Sequence, residues 1–461
     1  MERPNAWKQY DEKALNELEA VSRKYRTFLD HGKTERECVR ETVETAKAAG
    51  YVDLNDAIKA GKALKPGDKV YVNCMGKAIM LFHLGKNPLT DGINIVGAHI
   101  DSPRMDLKQN PFYEDTDLAY ADTHYYGGIK KYQWVARPLA LHGVVAKKDG
   151  SLVDVVIGED ADDPVVGVSD ILIHLAAEQM GKKASEAVTG ENLDVLLCGK
   201  PLTGEEKEPV KAMLLKILKE KYDLEEEDML SAEIEVVPAD KCRDFGLDRS
   251  MLLGYGHDDR VCSFASLEAI LRLPTVPDST CCCLLADKEE IGSVGATGMR
   301  AHYFENAMAE LLALTQPEYS ELALRRALAA CRMLSCDVSA GYDPLYASCF
   351  EKKNAAYLGR GVCYNKYTGS RGKSGSNDAN AEFLGRLRKI MDDNQVAWQT
   401  AELGKVDVGG GGTIAYICAL YGMEVVDSGV PVLSMHAPLE IISKADLYEA
   451  VKAYHAFMCQ G

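Results

Sequence analysis

The stretch CCCLLADKEE, residues 281–290, decides how the chain reads: a short apolar run stops at charge and ends on two adjacent glutamates. Six apolar residues suit a buried strand, because neighbouring side chains on a strand point to opposite faces and all of them here avoid water. Three consecutive cysteines fit that strand better than a disulfide framework. Working outward, the same grammar returns. INIVGA (93–98) is followed by His99-Ile100-Asp101, MLSC (333–336) by Asp337, and VLSM (432–435) by His436. A further acidic pair, Asp258-Asp259, stands just before a helix predicted over 261–273. Leu15, Leu18, Val21, Tyr25, Phe28 and Leu29 form an apolar stripe at helical spacing, and a second helix is predicted over 35–49, stopping at Gly50. Further helical patterns cover 303–332 and 444–458. Apolar runs separated by helices predict an α/β fold with a mixed, mostly parallel sheet flanked by helices.

Between residues 106 and 249 the texture changes. Residues 139–158 alternate and turn at Asp149-Gly150, a hairpin signal, and 234–237 read as another strand. Helices are expected near 170–180 and over 208–222. This block is expected to be an inserted β-rich domain, 106–249, interrupting a discontinuous domain formed by 1–105 and 250–461.

The 461 residues carry a net charge of -17, with 46% hydrophobic and 27% charged residues. That is the balance of a globular protein, and without a basic run it argues against a nucleic-acid or anionic-membrane partner. The first twenty residues are charged throughout, unlike the apolar core of a signal peptide. The 14 cysteines include no C-x-x-C pair. Reduced thiols in a cytoplasm are therefore expected.

In open α/β sheets, ligands collect at the carboxyl ends of strands. A lone histidine or a Glu-Glu pair there is unremarkable by itself. Two histidines and several carboxylates at one rim are a donor set for two zinc-like ions, with no cysteine required. Such ions sit ~3.5–4 Å apart, and the site also needs a base that is not itself a ligand. Adjacent Glu289 and Glu290 can divide those roles, and Asp101 is placed to hold the imidazole of His99.

The segments GAHIDSPRMDLK (97–108), GHDDRVCSF (256–264), DKEEIGSVGATGM (287–299), SCDVSAGYDP (335–344), GGGGTI (409–414) and SMHAPLE (434–440) together resemble the aspartyl aminopeptidase family, within the wider group of co-catalytic zinc aminopeptidases. The likeness runs in order over nearly the whole chain. It implies a metal-dependent aminopeptidase acting on small peptides, with two divalent ions per subunit; zinc is expected, and cobalt and manganese suit the same donors. It implies His99, Asp258 and Asp337 at one ion, Asp258 as the bridge, Glu290 and His436 at the other, Glu289 as general base and Asp101 behind His99. NKYTGSRGKSGSND (365–378) resembles the family's pocket segment and places Lys366 as the cation for an acidic N-terminal residue; ILIHLA (171–176) offers His174 as the histidine lent by a neighbouring subunit. The insert would build dimers, and six dimers a dodecamer. An aminopeptidase of neutral or broad specificity, a related amidase or carboxypeptidase, and a scaffold that has lost catalysis are the alternatives. GSRGKSG (369–375) lacks the first glycine of a phosphate loop, and GGGGTI lacks the following lysine.

Overall fold

A computed structural model describes residues 3–316, 318–369 and 372–461. The chain divides into two compact units: residues 1–101, 242–435 and 440–461 form the first, and residues 102–241 with the short tip 436–439 form the second.

The first unit is built on a nine-stranded sheet. Its strands run, in spatial order, Val52–Asp53, Lys69–Cys74, Ala78–His83, Cys281–Ala286, Asn94–His99, Arg332–Cys336, Glu424–Gly429, Val362–Asn365 and Trp398–Thr400. The four central strands, Cys281–Ala286 to Glu424–Gly429, are mutually parallel. Around them Ala78–His83 and Val362–Asn365 run antiparallel to their inner neighbours. A second sheet of five strands, including Met251–Gly254, Glu440–Ser443 and Pro431–Leu433, is chiefly antiparallel. The fold is therefore α/β with mixed and antiparallel sheets, which corrects the expectation of a mostly parallel one. The physical reason is that burial on both faces produces a continuous apolar run in either orientation. All six residues of Ala78–His83 are buried, yet the short turn from Cys74 to Ala78 can only make a hairpin, since a parallel crossover needs a dozen or more residues.

Two cores cover the two faces of the large sheet. Val96 and Ala98 pack into one with helices Glu12–His31, His257–Leu271 and Lys444–Gln460. Ile95 packs into the other with Tyr303–Thr315 and Glu321–Ala330. The helical pattern of 303–332 thus divides into two helices and a strand. Cys281, Cys282 and Cys283 are all buried in their strand as free thiols, alternating between the two cores. Among the described residues no helix is long and apolar enough to cross a membrane.

The second unit is an antiparallel six-stranded sheet with helix Pro209–Tyr222. Strands Leu139–Ala146 and Leu152–Ile157 pair as a hairpin, and Gly150 adopts φ 87° at its turn. The helix expected near 170–180 is replaced by the 3-10 turn Ile173–Leu175 and the single turn Ala177–Met180. Ile171, Leu172, Ile173 and Leu175 there are exposed, so this segment has no helical face packed on its own unit to hold it as one helix.

Candidate metal centre

Three of the central parallel strands end at the same rim of the sheet, and each end carries a polar residue. His99 is the last residue of Asn94–His99, in register with Ala286. Asp337 follows Arg332–Cys336, its N–H donating to the Ser428 carbonyl at 2.8 Å. Glu289 and Glu290 open a 3-10 turn after Cys281–Ala286, entered through Lys288 at φ 65°. Asp258 lies at the start of His257–Leu271, where Gly256 adopts φ 75° and Asp258 and Asp259 depart from helical geometry. The peptide bond between those two aspartates is cis.

His99, Asp258 and Asp337 bring one donor atom each within 4.8 Å of one another, and Asp258 and Glu290 do the same. The Nδ1–H of His99 donates to the Asp101 carbonyl at 3.0 Å, with the Asp101 carboxylate at 3.3 Å. That keeps a proton on Nδ1, so the neutral ring offers the lone pair of Nε2. Nε2 is buried with no hydrogen-bond partner among the described residues, and it faces Asp258 at 3.3 Å, Asp337 at 3.8 Å and Glu289 at 3.9 Å. A buried imidazole nitrogen with its lone pair turned into a ring of carboxylates fits a divalent cation. Nitrogen and oxygen donors without thiolate suit zinc, and tolerate cobalt or manganese.

The electrostatics agree with this geometry. Burial opposes charge on His99, but the carboxylates of Asp101, Asp258 and Asp337 outweigh it and hold its pKa well above the ordinary histidine value. Burial, reinforced by Asp337, pushes Glu289 up to about 8. A carboxyl raised into the neutral range beside a cluster of donors is suited to carry a proton.

The carboxylate of Asp101 does more than face His99. It accepts the backbone N–H groups of Glu289 at 3.1 Å and Glu290 at 3.2 Å, so one side chain holds both the histidine and the glutamate turn. Further supports were not apparent from sequence. The Asp259 carboxylate accepts the His99 N–H at 3.4 Å, Ser263 donates to the His99 carbonyl at 2.7 Å, and buried Arg260 donates to the Ile100 carbonyl at 3.1 Å. Glu440 accepts the Asp258 N–H at 3.0 Å. Beside Asp258, burial pushes His257 down to about 3, so its ring stays neutral, and the Tyr25 hydroxyl lies 2.7 Å from its Nδ1. The acidic partners Asp259 and Glu440 were visible only as charge in motifs assigned to other residues.

The remaining candidates lie as follows. His436, in the tip of the second unit, donates its Nδ1–H to the Gly128 carbonyl at 2.8 Å, which again leaves Nε2 as the acceptor. Lys366 follows strand Val362–Asn365 and is ion-paired with Asp378, which also pairs with Lys373 at 3.1 Å. Ser370 and Arg371 of the same segment lie outside the described residues. His174 sits exposed in the turn Ile173–Leu175.

Comparison with known proteins adds an independent line. The family model described as Aminopeptidase I zinc metalloprotease (M18) matches residues 28–458. A probable M18 family aminopeptidase 1 of Clostridium acetobutylicum is 58% identical over 455 residues, covering 98% of this chain and 97% of that protein. The crystal structure of an M18 aminopeptidase from Thermotoga maritima superposes with a TM-score of 0.95 at 44% identity, covering 100% of both chains. That of aminopeptidase I from Clostridium acetobutylicum gives 0.92 at 55% identity, covering 99% of both.

Proposed function

The chain belongs to the M18 family of zinc aminopeptidases, and on that premise we propose that it removes single residues from peptide N-termini at a centre of two divalent ions. The observation that carries the reading is the convergence of His99, Asp258 and Asp337 on one point beside a raised carboxyl, Glu289. His99 and Asp337 would hold the first ion, Glu290 and His436 the second, and Asp258 would serve both.

When bound, zinc supplies a Lewis acid for the scissile carbonyl and lowers the pKa of water. The protein's own residues do the rest. Glu289 takes a proton from the attacking water and returns it to the leaving amine, so it ends the cycle in its starting state. Asp101 keeps the glutamate turn in place through two backbone N–H groups and holds His99 in one tautomer. Glu440 fixes the Asp258 backbone. This preorganisation lets the carboxylates act without rearranging as charge develops.

Lys366 is the cation for an acidic N-terminal side chain, giving a preference for Asp or Glu; a neutral or broad preference is the second reading, favoured by the Asp378 carboxylate that already neutralises Lys366. The second unit builds the dimer, with His174 and its exposed apolar neighbours meeting another copy, and dimers assemble into a dodecamer. A fold relative at 19% identity is described as a dodecamer.

The deciding experiment strips the protein with chelator, reloads it with zinc, cobalt or manganese, and assays Asp-, Glu-, Leu- and Met-chromogenic substrates beside N-blocked peptides. Metal-dependent release from free N-termini alone is expected. Cleavage of N-blocked peptides would instead identify an amidase or carboxypeptidase.

A further inference from the structure

Side chains on a strand alternate between faces, so residues two apart share one. Ser335 pairs in register with Gly97 on one side and Asp427 on the other. Gly97, Ser335 and Asp427 therefore form one row across three parallel strands. His99 lies two residues further along its own strand, on the same face and about 7 Å away, and Asp337 follows the end of the strand that holds Ser335. Asp427 thus occupies the row directly behind the proposed zinc ligands.

That position is an expensive one for a carboxyl. Asp427 is 3% exposed. Its Oδ1 accepts a hydrogen bond from the Thr413 hydroxyl at 2.6 Å. Its Oδ2 is buried with no hydrogen-bond partner among the described residues, as is Oγ of Ser335. An apolar residue like its neighbours Val425 and Val426 would avoid the desolvation cost. What the carboxyl obtains is a grip on the residue that follows four successive glycines, 409–412.

Those glycines have no side chains with which to anchor themselves, and their backbone loses more freedom on ordering than any other residue type. Among the described residues the loop is also tied through its backbone, by Gly409 N–H to the Lys405 carbonyl at 2.9 Å and Gly411 N–H to the Thr368 carbonyl at 3.2 Å. Next to Thr413, Ile414 packs over Gly97, two residues before His99: a Cβ built on Gly97 would stand 3.6 Å from its Cδ1. Among the described residues a Cβ at Gly412 would meet nothing within 4 Å, so this backbone borders open space.

We infer that Asp427 is a positioning residue: through Thr413 it latches the glycine-rich loop 409–412 onto the sheet row behind the metal centre, and the latched loop binds the peptide backbone of the substrate. The inference rests on the metal-centre reading above. Loop order that is not supplied by the latch must be supplied by substrate binding, so the latch acts on KM and leaves bond cleavage and metal loading alone.

The test compares Thr413→Val, which keeps the shape and removes the hydroxyl, with Thr413→Ser, which keeps the donor. Both are measured for KM and kcat on a chromogenic aminoacyl substrate, for zinc content, and for hydrogen exchange across 405–413. Thr413→Val is expected to exchange faster at 409–412 and to raise KM several-fold, with kcat and zinc unchanged; Thr413→Ser is expected to restore both. A Thr413→Val enzyme with wild-type KM, or one that loses zinc and kcat together, overturns the latch. A wild-type chain inactive on every aminoacyl substrate would defeat the metal-centre reading instead, and loop exchange would still decide whether the latch holds.

Discussion

At the scale of single residues, the centre is a balance between burial and charge. Without a cation, His99 holds its proton more tightly than an ordinary histidine, and Glu289 titrates at about 8. A bound cation favours neutral imidazole and ionised carboxylate, so loading must displace protons. The sign follows: both groups carry protons at pH 7 in the metal-free protein, and zinc affinity rises with pH as those protons leave. Calorimetric zinc titrations at pH 7 in two buffers of different ionisation enthalpy should show net proton release, and Glu289→Gln should release fewer protons. A titration with no buffer dependence would contradict this. The same variant should keep its zinc yet lose ~10²-fold or more in kcat, the scale of general-base catalysis. Asp258→Ala should lose metal, and elemental analysis showing wild-type zinc would remove Asp258 from the ligand set. The proposed ligands stood out as candidates in the sequence because all but Asp258 follow an apolar run. The second task of Asp101, holding the glutamate turn, was not, because it spans 188 residues.

At the scale of elements, the centre depends on how closely the strands approach. A Cβ placed on Gly429 would lie 1.6 Å from the Asp337 carbonyl oxygen, in a backbone that cannot yield without moving Asp337. Gly429→Ala should therefore destabilise the protein by at least the ~1–3 kcal/mol of an overpacked core and weaken zinc binding with it. Thermal melts of metal-free and zinc-loaded protein separate the two effects. If the variant melts and binds zinc as wild type does, the contact does not constrain the site. The strands themselves could be read from apolar runs, as could helices with a regular stripe such as Glu12–His31. Apolar runs by themselves do not carry strand direction, because a hairpin and a crossover leave equally apolar strands when helices cover both faces. The segment 170–180 has helical composition, but without a packed face it stays as separate turns.

At the scale of the whole molecule, the second unit exposes an apolar segment, with Ile173 at 68% and Leu175 at 67% exposure. Contiguous exposed apolar residues of this kind mark interaction surfaces. Sedimentation should show an assembly larger than one chain, and His174→Ala should lower activity while leaving each subunit's zinc in place. A fully active monomer would refute any contribution of a neighbouring subunit. The sequence by itself determined the α/β class and the family, because those reside in local patterns: apolar runs, the residues that close them, and motifs in fixed order. Only the tertiary structure decided strand directions, the tautomer of His99 and the partners of Asp101, Asp258 and Asp427. Each of those depends on segments far apart in the chain meeting in space, and no local pattern encodes which atom of one will face which atom of another.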